Sequence, residues 1–116
     1  MLKEIREKLR EIDDNVFYGA VDKKIKETVW DYIVFDRGIL KRNDNRTGYT
    51  ETIGVHIVRE EFIPEGLDEQ VIEAMESIPG IRLSKNDGVY EYAEKPNTNV
   101  IVEMLSLEFT RSRRRK

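Results

Sequence analysis

Residues 49–58 read YTETIGVHIV, a stretch in which apolar and polar side chains alternate. Ile53, Val55 and Ile57 fall on one parity, and His56 falls on the other. Successive side chains of a β-strand point to opposite faces of a sheet, so this period of two predicts a strand with one buried and one polar face. The strand therefore needs partner strands beside it and a layer of helices over its apolar face.

The segment before this strand predicts its partner in a hairpin. Residues 28–35, TVWDYIVF, are mostly β-branched or aromatic and are apolar on both parities. That pattern is typical of a strand covered on both faces, or of one whose second face meets another chain. Residues 41–48, KRNDNRTG, are polar and too many for a tight turn, so we expect a long hairpin with a protruding tip.

Two amphipathic helices are predicted by apolar residues spaced three and four apart. The first stripe consists of Leu2, Ile5, Leu9 and Ile12, and the second of Leu67, Val71, Met75 and Ile78. Extended segments follow from Ile81 to Thr110, interrupted by two short polar turns. We therefore predict the order α-β-β-α-β-β, an α+β two-layer sandwich in which two helices cover one face of a mainly antiparallel sheet.

Length and composition restrict the class of protein. At 116 residues the chain suits one compact domain, predicted over residues 1–110, with a basic C-terminal tail over residues 111–116. The lack of cysteine excludes a disulfide scaffold, a Cys-based zinc site and a thiol nucleophile. No apolar run is long enough to span a membrane, and the first residues do not resemble a signal peptide, so we expect no membrane partner.

The charge is distributed unevenly along the chain. The sequence holds 20 basic and 23 acidic residues, and five of the basic ones fall within residues 111–116. Residues 1–110 therefore carry 15 basic against 23 acidic side chains, which is not the broad basic face of a duplex-binding protein. Phosphate groups would have to be bound by the terminal arginines or by the basic loop. The terminal run fits a solvated chain end equally well.

No pattern of residues predicts catalysis, a cofactor or a metal site. His56, the only histidine, has no Ser, Cys or acidic residue at the spacing of a catalytic triad or a zinc-binding helix. We therefore interpret His56 as a sheet-surface or interface histidine. Residues 43–48 are similar to the start of a calcium-binding loop, but Gly54 occupies the position of its closing Glu. The expectation is a protein that is not an enzyme.

Four stretches together resemble a known family of proteins. They are TVWDYIVFDR at 28–37, GVHIVREEFIPEGLDEQVIEAMESIPGIRL at 54–83, YEYAEK at 90–95 and VIVEMLSLEFTRSRR at 100–114. The family is that of tail terminator (tail completion) proteins, minor tail assembly proteins of long-tailed bacteriophages and of prophages in Gram-positive bacteria. The most specific parts are residues 57–66 and 103–111, and the resemblance extends over nearly the whole chain.

The resemblance implies a structural role in assembling the virion. Such proteins are similar in forming a hexameric ring that caps the tail tube, stops its polymerisation and joins the tail to the head. The implied partners are copies of the chain itself, the major tail tube protein, a head–tail connector protein and DNA in transient, non-specific passage. The implied location is the tail–head junction of the virion, after assembly in the cytoplasm of the bacterial host. Two routes remain open, a ring formed beforehand or a free monomer that closes into a ring on the tube.

Two sets of residues are predicted to serve this role. Those expected at subunit or tube contacts are Trp30, Tyr32, Arg42, Asn45, Arg46, Tyr49, His56 and Glu103. Those expected along the DNA passage are Arg111, Arg113, Arg114 and Arg115. Two alternative functions remain: a small α+β module that binds nucleic acid through its basic loop and C-terminal tail, and a neighbouring head–tail joining (neck) protein.

Overall fold

The computed structural model of the chain describes residues 1–21, 30–43 and 48–114. In chain order, the elements are α1 (Leu2–Arg10), β1 (Val16–Tyr18), β2 (Tyr32–Arg42), β3 (Gly48–Glu60), α2 (Leu67–Glu76), β4 (Ile81–Leu83), β5 (Val89–Glu94) and β6 (Ile101–Arg114). Among these residues the fold is α+β, as predicted, with two helices and a six-stranded, mostly antiparallel sheet. The observed order is α-β-β-β-α-β-β-β, which corrects the predicted order by two additional strands.

The longest strands lie at the middle of the sheet. The strand order is β1-β2-β3-β6-β4, and β5 also pairs with β6. β1 runs parallel to β2, whereas the other described pairs are antiparallel. β4 pairs with residues 109–111 of β6 and β5 with residues 101–106. β4 and β5 therefore lie end to end along one side of β6, and β1 lies at the opposite edge of the sheet.

The two additional strands have local causes. β1 has three residues, too few to show a period of two, and it is held by parallel pairing with residues 33–35 of β2. β4 and β5 are separate because the side chains of Ser84 and Asn86 each donate a hydrogen bond of 2.8 Å to Glu108 Oε1. The chain between the two strands thus turns around one carboxylate instead of continuing the ladder.

The main core lies between the sheet and both helices. Ile5 and Leu9 of α1 and Val71 and Met75 of α2 are fully buried in it. The sheet side of this core consists of Val16, Ile33, Phe35, Ile53, Val55, Ile57, Leu105, Leu107 and Phe109. These strand residues share one face, so both helices cover the same side of the sheet, as their apolar stripes predicted.

A smaller apolar cluster lies on the opposite face of the sheet. Its buried members are Tyr32, Val34, Val58 and Val102, with Phe17, Val21, Trp30 and Met104 packed against them. Residues 32–35 at the start of β2 are therefore covered on both faces within a single chain, which explains their apolar side chains on both parities. The sequence pattern alone does not distinguish this arrangement from contact with a second chain.

Strand β6 continues beyond the predicted end of the domain. Its ladder with β3 runs without a register shift from Val102 opposite Glu60 to Arg114 opposite Gly48. The predicted boundary at residue 110 thus falls inside a strand. The molecule is elongated, 52 × 27 × 24 Å, since the 14-residue β6 is about three times as long as the 10-residue α2.

Candidate functional site

His56 lies at the centre of a polar group on the sheet face opposite the helices. Its Nε2 is 2.9 Å from Asp36 Oδ2, and its Nδ1 is 2.8 Å from Ser106 Oγ. When the Nε2–H donates to the carboxylate, Nδ1 of the neutral ring accepts a hydrogen bond from the Ser106 hydroxyl. Gly54 makes room for this contact, because a Cβ there would lie 2.5 Å from Asp36 Oδ1.

The three residue types are those of a serine hydrolase triad, but their surroundings differ. Ser106 lies mid-strand in β6, where it pairs with His56 of β3 on one side and with Val89 of β5 on the other. The backbone N–H groups of a strand paired on both sides are used in its ladders, so they are not available to stabilise an oxyanion. Asp36 and His56 are half-buried. The group therefore connects β2, β3 and β6 across the sheet.

The spacing of these residues explains why the sequence did not predict the group. Asp36 precedes His56 by 20 residues, and Ser106 follows it by 50. They meet because the register places Asp36 of β2 opposite Gly54 and Ser106 of β6 opposite His56. The one sequence signal for this group was the alternation of residues 49–58, which placed His56 on the polar face of its strand.

A second polar group lies at the far end of the sheet, on the face that carries the helices. Glu51 is only 5% exposed, and its carboxylate oxygens lie 3.8 Å from Arg111 Nη1 and 3.4 Å from Arg113 Nη1. The register places Arg42 of β2 in one row with Tyr49 and Arg113. The arginines of β6 and of the hairpin end thus share one end of the sheet. Glu51 contacts two of these three arginines, so the charges of Arg42, Arg111 and Arg113 outnumber its single carboxylate and this end is positively charged.

The described part of the predicted DNA passage belongs to the sheet. Arg111 and Arg113 contact Glu51, and Arg114 continues the strand at the end of its ladder. Contact between these arginines and DNA remains a prediction. Three other predicted residues lie outside the described part of the chain: Asn45, Arg46 and Arg115.

Glu103, predicted at a subunit or tube contact, supports the chain's own turn after β3. Its Oε1 accepts a hydrogen bond from the Ile63 N–H at 2.8 Å. A hydrogen bond with Glu103 also raises the pKa of Tyr92, the residue opposite it in β5. The Glu103 carboxylate therefore stabilises this end of the sheet through Ile63 and Tyr92, and the Tyr92 side chain itself remains exposed.

The two predicted aromatic contacts, Trp30 and Tyr32, pack inside the chain itself. The Tyr32 ring is buried edge-on against Phe17, with 6.0 Å between ring centroids, and this burial raises its pKa. The half-buried Trp30 ring has Lys95 Nζ 5.6 Å from its centroid. Replacing Trp30 with Ala would expose the smaller cluster, so weaker self-association in that variant would not identify an interface.

The large apolar side chains that remain exposed lie mostly along two strand edges. One group belongs to β5 and its neighbour in β6, and the other to the outer half of β2, beyond the part paired with β1. They are Val89, Tyr90, Tyr92 and Ile101 in the first group and Ile39 and Leu40 in the second. Sequence reasoning missed these positions, because a period of two indicates a strand but not its place in the sheet.

The described residues contain neither a membrane-spanning helix nor a cluster of metal ligands. None of their helices is long and apolar enough to cross a membrane. No group of three or more His, Asp or Glu side chains in this part of the chain could hold a metal ion. In comparisons with known proteins, the chain matches no family model, and no curated protein is significantly similar to it.

Proposed function

We propose that this chain is the tail terminator protein of a long-tailed phage or prophage. In this role, copies of the chain assemble as a ring on the end of the tail tube, stop its polymerisation and offer a surface to the head–tail connector. The ring is a structural component at the tail–head junction, and DNA passes through it without sequence-specific contacts. The proposal assigns no catalytic step to the chain.

The observation that carries the proposal is the resemblance of residues 57–66 and 103–111 to tail terminator proteins. These two passages are adjacent in the structure, because the end of β3 pairs with the start of β6. The hydrogen bond between the Ile63 N–H and Glu103 connects them a second time. The most specific parts of the resemblance therefore form one continuous region, which supports a shared local structure rather than a chance similarity of scattered segments.

Features of the sheet support an assembly role. One end is positively charged on an otherwise acidic chain, which suits weak contact with passing DNA phosphates. Exposed apolar side chains lie at two strand edges, where other chains can add. The polar group around His56 lies on a strand paired on both sides, which favours a structural over a catalytic role.

The proposal predicts control of tube length. When the tail tube protein encoded in the same genome polymerises together with this chain, we expect shorter tubes whose ends carry a ring, because capped ends no longer add subunits. Negative-stain electron microscopy measures both the lengths and the end views. The control is the chain added after polymerisation, which should decorate the ends without shortening the tubes.

Tube lengths and ends that do not change with added chain would contradict the proposal. Binding to the isolated head–tail connector, but not to tube ends, would instead identify a head–tail joining (neck) protein. End views of capped tubes also give the number of copies in the ring, which the resemblance implies to be a hexamer.

A second candidate, a small nucleic-acid-binding module, is favoured by one specific observation. Arg42, Arg111 and Arg113 gather at one end of the sheet and on one face. Arg42 and Arg113 are two strands apart, which corresponds to about 10 Å. A single stretch of backbone phosphates can therefore contact both.

If the chain is a nucleic-acid-binding module, its affinity for DNA should fall steeply as the salt concentration rises. Each neutralised phosphate contributes about −0.7 to −0.9 to the slope of log affinity against log salt concentration. Replacing Arg42 with Gln should remove about one such contribution, measured by fluorescence anisotropy on single-stranded and duplex DNA. Arg6→Gln, on an exposed face of α1, is the matched control and should leave the slope unchanged. Affinity too weak to measure at low salt would reject the module and leave the terminator proposal intact.

A further inference from the structure

We infer that two edges of the sheet pair with each other between neighbouring copies of the chain. The acidic edge is β5, Val89–Glu94, and the basic edge is the outer half of β2, residues 37–42. In the assembly, the acidic edge of one copy adds as an antiparallel strand to the basic edge of the next. The inference deepens the proposed function by assigning the interface between subunits. The closure of these contacts into a ring rests on the proposed function.

Both edges offer backbone groups that no described strand uses. β1 covers β2 only as far as Phe35, whose carbonyl accepts a hydrogen bond from the Gly19 N–H at 2.8 Å. From Arg37 onward, no described residue pairs with the outer side of β2. β5 pairs with β6 on one side, and no described strand pairs with its other side. An unpaired edge is a template for a strand of another chain.

The side chains along the two edges are suited to burial. Tyr92 is 64% exposed and Leu40 is 54% exposed, and each has a further exposed apolar side chain near it, Tyr90 or Ile39. All six residues of β5 are exposed, and the strand contains neither Pro nor Lys, the residues that commonly protect an edge. The acidic edge therefore carries contact surface that neither Pro nor Lys protects from pairing.

Charge determines which edges can pair. The acidic edge carries Glu91 and Glu94, whereas the basic edge carries Arg37, Lys41 and Arg42. Two acidic edges, or two basic edges, would place like charges on adjacent strands, which is destabilising. An acidic edge beside a basic edge brings opposite charges together. The charges therefore favour a head-to-tail contact between different surfaces over a symmetric dimer.

A bulge in β2 adds to this selectivity. The register with β3 shifts between Arg37 and Leu40, where Thr52 Oγ1 accepts a hydrogen bond from the Ile39 N–H at 2.7 Å. A bulge bends its strand and increases the local twist. An incoming strand must follow this twisted edge, so flat, unrelated strands pair with it poorly.

The strand directions fit a closed ring. β2 runs parallel to β6, because both are antiparallel to β3, and β5 is antiparallel to β6. β5 and β2 therefore run in opposite directions, and rotation about a ring axis against which the strands are tilted preserves this relation from copy to copy. Head-to-tail contacts of this kind form a ring when the rotation closes.

The two edges are staggered along the strands. β5 lies beside residues 101–106 of β6, whereas the basic edge lies, through β3, level with residues 109–113. Joining the edges thus shifts each copy along the strand direction relative to the last. A closed sheet accommodates such a shift by tilting its strands against the ring axis.

Cysteine cross-linking tests the contact directly, since the chain has no cysteine of its own. Leu40→Cys combined with Tyr92→Cys places one thiol on each edge. Under mild oxidation we expect this double variant to form a ladder of disulfide-linked oligomers on a non-reducing gel, ending at a closed species. Each single variant should form at most a dimer. A second double variant, Leu40→Cys with Tyr90→Cys, samples the neighbouring register on the same face of β5.

The matched control is Leu40→Cys with Phe62→Cys. The exposed fraction of Phe62, 66%, is similar to the 64% of Tyr92, but Phe62 lies on neither edge. This variant should give dimers and no ladder. The inference is overturned if neither Leu40–Tyr variant forms a ladder, whether free or bound to tail tubes. An equally long ladder in the control would overturn it as well.

Charge reversal in the cross-linking variant provides a second test. Glu91→Arg with Glu94→Arg should lower the yield of the ladder about tenfold, and Arg37→Glu with Lys41→Glu should do the same. All four changes together should restore the yield, because opposite charges face each other again. Glu73→Arg, at an exposed position on α2, is the control and should have no effect. No recovery in the combined variant would contradict the pairing of these two edges.

The inference and the proposed function can fail separately. A ladder of disulfide-linked oligomers together with unaltered tube lengths would support the edge contact and refute the tail terminator function. If the chain caps tubes but its double-cysteine variants give no ladder, the tail terminator function would be supported and the edge contact refuted.

Discussion

Replacing Phe109 with Ala is expected to lower the free energy of unfolding by about 3–5 kcal/mol. Phe109 is 0% exposed and lies in the main core, where its strand pairs with Ile53 of β3 and Leu83 of β4. Truncation leaves a cavity that cannot close easily, because strands on both sides hold the backbone in place. Domains of this size are typically stable by about 5–15 kcal/mol, so the variant should lose a large part of its stability.

Urea denaturation followed by circular dichroism measures this loss, with a lower midpoint and an unchanged slope expected. Phe62→Ala is the matched control, because Phe62 is exposed, and it should change the free energy of unfolding by no more than about 0.5 kcal/mol. Equal losses in the two variants would show that the helix-covered face of the sheet is not the main source of stability.

Replacing Arg111 and Arg113 together with Gln is expected to lower the free energy of unfolding by about 1–3 kcal/mol. Both guanidinium groups face the buried carboxylate of Glu51. Without them, the cost of keeping that charge out of water is no longer offset by a nearby cation. Because Arg113 is itself exposed, solvent screening keeps the loss below that of a fully buried ion pair.

Glu51→Gln in the same background supplies the decisive comparison for this prediction. It removes the uncompensated charge and should restore most of the stability that the two arginine substitutions cost. Arg82→Gln, at an exposed position on β4, is the control and should have little effect. A triple variant no more stable than the double variant would show that Glu51 does not anchor the end of β6.

This coupling affects how the terminal arginines are tested for DNA binding. Residues 111–114 pair with residues 48–51 of β3, so deleting residues 111–116 removes the end of the ladder along with the positive charge. Weaker DNA binding by a truncated chain would then combine two effects. Substitution of an exposed arginine such as Arg42, with stability measured in parallel, separates them.

The elements with a strong period were predictable from the sequence. The stripe from Leu67 to Ile78 predicted α2, and the alternation in residues 49–58 predicted β3, because side-chain spacing follows directly from helix and strand geometry. β1 was missed, because a three-residue strand has no period of its own and is defined by its pairing with β2. Trp30 and Tyr32 pack in the smaller cluster of their own chain, which the pattern of residues 28–35 did not distinguish from contact with another chain, and their contact with a subunit or the tube stays a prediction.

The sequence by itself determined the class of the fold, the buried face of β3 and the concentration of arginine at the C-terminus. Only the tertiary structure decided that Asp36 and Ser106 meet at His56, that Glu51 meets the terminal arginines, and which strands lie at an edge of the sheet. The physical reason is the distance along the chain over which each feature is decided. Helical and strand periods are set within a few residues, whereas strand order and register depend on packing of the whole core, which brings together residues 20 to 62 positions apart.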